Sequence, residues 1–163
     1  MTKPRVYLET SFIGYLTGRL SGDLITAAHQ KLTRTWWDEE RHKFALHVSD
    51  FVFREISAGD SSAASERRAA LVGVVELIPP AEARRVTAAL LEKRLVPAKA
   101  AMDAAHVAVA AVTGMDYLLT WNCKHIANAT TREGIANLIR GLGYNPPVLC
   151  TPEELMGEDD DDA

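Results

Sequence analysis

The chain has little cysteine, and what it has forms no pattern. Cys123 and Cys150 are far apart and sit in no metal-ligand spacing. A structural zinc site takes four ligands and a disulfide scaffold takes several paired thiols, so neither is built here. The two are read as ordinary reduced thiols. An apolar run of about 20 residues, the length that crosses a bilayer, is also missing. The opening, "MTKPRVYLET", lacks the basic segment, apolar core and small-residue cleavage site of a secretory signal, so a bacterial-type cytoplasm is the expected compartment. No internal repeat or linker interrupts the chain. A strong charge of one sign is missing too. The formal charge is −4, but "EDDDD", Glu158 to Asp162, holds five of the acids; without them 18 basic residues face 17 acidic ones. Charge alone therefore neither selects nor rejects a polyanionic partner. The acidic end, 157–163, is expected to be a solvated, disordered tail. Residues 1–156 suit one domain with one core, since 47% of the 163 residues are hydrophobic.

What is present is a regular alternation. Val6–Leu8 reads as a buried strand, followed by a short helix from Ser11 to Leu20 with Thr10 or Ser11 as its cap. Asp23 to about Lys43 places Leu24, Ile25, Ala28, Leu32 and Trp36 at helical spacing. In the Trp36-Trp37 pair, the preferred reading puts Trp36 in the core and Trp37 half-buried; the other is a partner surface. Phe44–Ser49 alternates as a second strand and leads into the helix "FVFREI". Asp60 or Ser61 caps a helix over Ser62–Val72. "VVELI" is a third strand, and Glu82–Leu95 a helix. Lys99–Val112 is an Ala-rich helix ended by Gly114. Asp116–Thr120 is a fourth strand, Thr131–Arg140 a helix, and "PVLC" a fifth strand. "TPEEL" carries a cap with proline at the first helical position. This is an α/β pattern: a mostly parallel sheet of about five strands, covered by helices on both faces. Ligands of such sheets bind beyond the carboxyl ends of the strands.

Several polar residues stand in apolar places near that edge. Glu9 directly follows the first strand. Glu55 lies in a helix of Phe51, Val52, Phe53 and Ile56; it reads equally as a surface charge. Asp103 lies in "AKAAMDAAHVAVAAV", apolar nearly all round and so expected to be buried. A lone ionised carboxylate there costs several kcal/mol unless it is paired or holds a cation. A buried ion pair, or a first-turn Asp favoured by the helix dipole, also satisfies the pattern. His106, one turn on, is read as a core histidine with one hydrogen-bonded nitrogen rather than a metal ligand. Asn122 follows the fourth strand. It can contact a water or phosphate, or cap the next turn. Lys124 and His125 add positive charge for phosphates, or are simply solvated.

Three carboxylates in a small volume repel one another unless a divalent cation neutralises them. An oxygen-only set favours Mg²⁺ or Mn²⁺. Such an ion orients an activated water for attack on phosphorus, which gives phosphodiester hydrolysis.

"YLETSFIGYL" resembles the first motif of PIN-domain ribonucleases, and "VSDFVFREI" their second, a helix that supplies a glutamate. "KAAMDAAHVAVAAVTGMDYLLTWNCKHIAN" resembles their third and fourth motifs, and "GYNPPVLCTPEEL" their closing elements. The resemblance runs along nearly the whole chain, and within the family it is nearest to the VapC-like toxins of toxin–antitoxin pairs. It implies a three-layer α/β/α sandwich and an Mg²⁺- or Mn²⁺-dependent endoribonuclease. Glu9, Glu55 and Asp103 then take the acidic, metal-holding positions and Asn122 the fourth polar one. Ser11 and Thr120 take supporting positions. RNA is the implied substrate. A homodimer and a cognate antitoxin, with an Arg entering the carboxylates, are the implied partners. Glu9 stands where the family usually has Asp, which moves its carboxylate by about 1.5 Å. Two other readings of the same residues are kept: a non-catalytic module binding RNA or protein over a structural acidic network, and a metal-independent hydrolase using a carboxylate pair.

Overall fold

The computed structural model describes residues 2–157. The acidic tail expected after that point lies outside the described residues. Strands β1 (Arg5–Leu8), β2 (Ala45–Ser49), β3 (Val75–Leu77), β4 (Tyr117–Leu119) and β5 (Val148–Cys150) form one sheet in the order β3-β2-β1-β4-β5. Every pairing is parallel, so the sheet is fully and not just mostly parallel. The helices are α1 (Thr10–Thr17), α2 (Leu24–Glu39), α3 (Asp50–Ile56), α4 (Ser61–Ala70), α5 (Ala83–Glu92), α6 (Ala101–Val112) and α7 (Arg132–Gly141). The fold is a three-layer α/β/α sandwich.

The topology follows from chain order and handedness. Parallel crossovers are almost always right-handed. The chain winds from β1 through β2 to β3, then crosses back and continues from β4 to β5. The first direction puts α1–α4 on one face and the second puts α5–α7 on the other. The packing agrees: α1 lies against α2, α3 and α4, while α5 lies against α6 and α7. The winding reverses between β1 and β4. That reversal leaves a crevice outside their carboxyl ends, where such sheets take ligands.

Burial explains why β1 is central. Val6, Tyr7 and Leu8 are all fully buried, as a strand covered on both faces must be. Below it, α6 buries Ala104, His106, Val107, Ala108, Val109, Ala110 and Ala111. Trp36 is buried against Phe12 and Phe44, and Trp37 is half-buried against the same core. Both tryptophans thus belong to the fold. Cys123 and Cys150 are free thiols, and burial pushes the Cys150 thiol up to about 12. No helix among the described residues is long and apolar enough to cross a membrane.

Three local expectations are corrected. Helix α1 starts at Thr10 with Glu9 itself as its cap, because the carboxylate accepts from the Ser11 amide. Edge strand β3 is shorter than "VVELI": Ile78 is 85% exposed and leaves the ladder. "TPEEL" makes a capping box, with Thr151 and Glu154 each accepting from the other's amide, but only turns follow where a helix was expected.

Candidate active site

Glu9 sits at the turn from β1 to α1, and its amide still pairs with the Leu119 carbonyl of β4 at 3.0 Å. The carboxylate is therefore indexed to the sheet. Only 4% of the residue is exposed. Its Oε2 accepts from the Ser11 amide at 3.0 Å, from the Thr120 hydroxyl at 2.8 Å and from the Ser11 hydroxyl. Each hydroxyl has a second duty. Ser11 Oγ accepts from the Trp121 amide at 2.8 Å, and Thr120 Oγ1 from the Asn122 amide at 2.9 Å. Two side chains from opposite ends of the sequence thus tie the loop after β4 to the start of α1. Oε1 of Glu9 makes no hydrogen bond among the described residues.

Glu55, on α3, is reached through the next residue. Thr10 Oγ1 donates to Glu55 Oε1 at 2.8 Å, and His106 Nε2 bonds the same oxygen. Burial works against the charged form of Glu55, but the hydrogen bond and charge of His106 and the Thr10 hydroxyl outweigh it. The carboxyl titrates below its ordinary range as a result. Behind it runs a buried chain: His106 Nδ1 to the Tyr7 hydroxyl at 2.6 Å, and Tyr7 to Ser49 Oγ at 2.7 Å. An ionised carboxylate only accepts, so the proton of that bond sits on Nε2 of His106. Burial, reinforced by the nearby charges of Glu9, Glu55 and Asp50 against the opposing Ser49 bond, drives the Tyr7 hydroxyl far above its usual range. Tyr7 stays protonated and serves as a fixed link.

His106 therefore uses both nitrogens, where one was expected. Tyr7, Thr10 and Ser49 were not anticipated. The available signal was Tyr7 itself, because a tyrosine inside a fully buried strand needs a partner for its hydroxyl.

Asp103 lies in the first turn of α6 and is partly, not fully, buried, because that end of the helix emerges beside Met102, 42% exposed. Its carboxylate makes no hydrogen bond or ion pair among the described residues. Asn122 caps the turn after β4: its Oδ1 accepts from the His125 amide at 2.9 Å. Among the described residues that leaves its amide nitrogen as the unbonded end. Lys124 is exposed and His125 half-buried, and neither side chain makes a hydrogen bond or ion pair among the described residues. Beside them, His29 stacks on Trp121 at 4.0 Å between ring centres, and Trp121 Nε1 donates to Thr33 at 2.7 Å.

The arrangement brings Glu9, Ser11, Thr120 and Asn122 into one bonded group and links Glu55 to it through Thr10. It does not bond Asp103 to either. Among the described residues no three His, Cys, Asp or Glu side chains form a ready metal cage. The donor chemistry still fits a hard cation: among the described residues Glu9 and Glu55 each keep one unbonded oxygen, and Asp103 keeps two. Mg²⁺ typically takes one or two carboxylates, with waters and substrate phosphates completing its shell, so it does not need a closed cage. No protein-family profile matches the chain, and no curated protein matches it significantly.

Proposed function

We propose that the protein is a divalent-metal-dependent endoribonuclease, acting as the toxin of a toxin–antitoxin pair. The observation that carries this reading is the pairing of two anchored carboxylates, Glu9 and Glu55, across one residue at the crevice between β1 and β4. Glu9, Glu55 and Asp103 would hold Mg²⁺ or Mn²⁺, which supplies charge neutralisation and an activated water at a phosphodiester. Ser11 and Thr120 fix Glu9 through one oxygen and leave the other for the site. Thr10 and His106 do the same for Glu55 and keep it ionised. Asn122 has spent its carbonyl on the turn, so it meets a phosphate oxygen as an N–H donor. RNA is the substrate, a homodimer the working form and an antitoxin the restraining partner.

RNA cleavage by the purified chain with Mn²⁺ or Mg²⁺ tests this. Asp103→Asn and Glu9→Gln should each lower the rate by at least about 100-fold. Full cleavage in excess chelator would reject the metal, and no cleavage with either ion would reject the nuclease. A second reading, a non-catalytic binding module, draws on the bonds already made by Glu9 and Glu55. RNA binding without any Mn²⁺ uptake in a calorimetric titration would favour it.

A further inference from the structure

A groove of about 400 Å³ opens beside Glu55, between α1 and the α3–α4 corner. Thr10 and Gly14, one helical turn apart on α1, form one wall; Glu55, Gly59 and Arg67 form the other.

Gly14 is unusual for where it sits. It is an interior residue of the eight-residue helix α1. Glycine there weakens a helix relative to alanine. Its φ is not positive, so the backbone does not demand it. Nor does packing, since a Cβ on Gly14 would meet nothing within 4 Å. Gly134, inside α7, makes the contrast: a Cβ there would stand 2.8 Å from Leu95 Cδ2. At Gly134 a Cβ would force the Leu95 side chain to shift, whereas at Gly14 nothing in the fold opposes one. A glycine that neither backbone nor core requires suits a place where something outside the chain comes close to the helix.

Arg67 supplies the chemistry opposite. Its Nη1 donates to the carbonyls of Ile56 at 3.0 Å and Ala58 at 3.4 Å, at the end of α3. Those bonds orient the guanidinium. Its Nη2 and Nε make no hydrogen bond among the described residues. A fixed guanidinium fork with free N–H groups matches the oxygens of a phosphate.

We infer that this groove is a phosphate subsite for a single-stranded nucleic acid running away from Glu55, with the sugar–phosphate backbone over Gly14 and one phosphate on Arg67. This rests on the nuclease reading only in naming the strand whose other end lies at the carboxylates.

The test is anisotropy of a labelled single-stranded RNA on the full chain in chelator, which reads binding without turnover. Gly14→Glu improves helix propensity and its Cβ meets nothing within 4 Å, so it tests the groove with the helix intact. It should weaken binding by at least roughly ten-fold, and Gly14→Ala by less. Arg67→Gln should weaken binding by roughly ten-fold and lower the slope of log affinity against log salt by about one. RNA binding by Gly14→Glu equal to that of the unaltered chain would overturn the subsite. Displacement of RNA by inorganic phosphate, with Gly14→Glu silent, would assign Arg67 to a free anion and reject the strand. The two readings fail separately. RNA that binds through Gly14 and Arg67 but is never cut sinks the nuclease and leaves the groove. RNA that is cut and bound equally by Gly14→Glu sinks the groove alone.

Discussion

Glu9 and Glu55 lie on either side of Thr10's contacts, yet the protein holds their charges by different means. Glu9 is nearly enclosed, and everything bonded to it is neutral: one amide and two hydroxyls. Glu55 is partly open, and its main partner is an imidazole whose far nitrogen ends in a buried tyrosine. Neutral dipoles do not titrate, so the Glu9 corner keeps its geometry at any pH where the carboxylate is ionised. The Glu55 corner depends on an imidazole held in place by the buried hydroxyls of Tyr7 and Ser49. The first arrangement fixes position; the second ties position to charge.

Breaking the second corner should have the largest effect on stability. His106→Ala leaves a cavity in α6 and takes a partner from the buried Tyr7 hydroxyl. A loss of about 3 kcal/mol is expected in urea denaturation; a variant as stable as the parent would mean the buried chain contributes nothing. The first corner comes next. Thr120→Val keeps the shape, removes one donor from Glu9 and strands the Asn122 amide, for about 2 kcal/mol. Its effect on denaturation should not change sign with pH, because both lost bonds are neutral donors.

A pH series sharpens the contrast further. The Glu55 carboxyl titrates below the ordinary glutamate value of 4.5. A depressed folded value means that the stability from its ionised form is present above 4.5 and is lost as pH falls through the lower, folded value. Glu55→Gln should therefore flatten the acid limb of the denaturation profile below that point, by a modest amount because the side chain is 36% exposed. An unchanged acid limb would show that His106 and Thr10 do not favour the charge. The smallest effect is expected at Gly14→Ala, which should raise thermal stability by about 0.5 kcal/mol, since the added methyl meets nothing and the helix gains.

The layers were legible in the sequence because their signals are local. Val6–Leu8 is apolar throughout, as a strand covered on both faces must be, and α6 is apolar nearly all round. Their order along the chain then fixes a parallel sheet. Glu9 and Asn122 could be put at the carboxyl edge for the same reason. What stayed hidden depends on long-range pairing. Nothing around His106 announces Tyr7, 99 residues away in sequence. The burial expected for Asp103 came from the composition of its helix, but composition does not say which end of a helix leaves the protein. The capping box at Thr151 and Glu154 was a sound local signal, yet the described residues after it form turns and no helix.

The Thr120 bond to Glu9 spans 111 positions of the chain, and this bears on when the corner comes into being. During synthesis Glu9 emerges well before β4 and the hydroxyl beyond it, which arrives 111 residues later. Until then β1 lacks its β4 neighbour, and the carboxylate at its end lacks one of its three hydrogen-bond donors. A ribosome stalled before Tyr117 would carry a chain with its first candidate carboxylate made but unassembled.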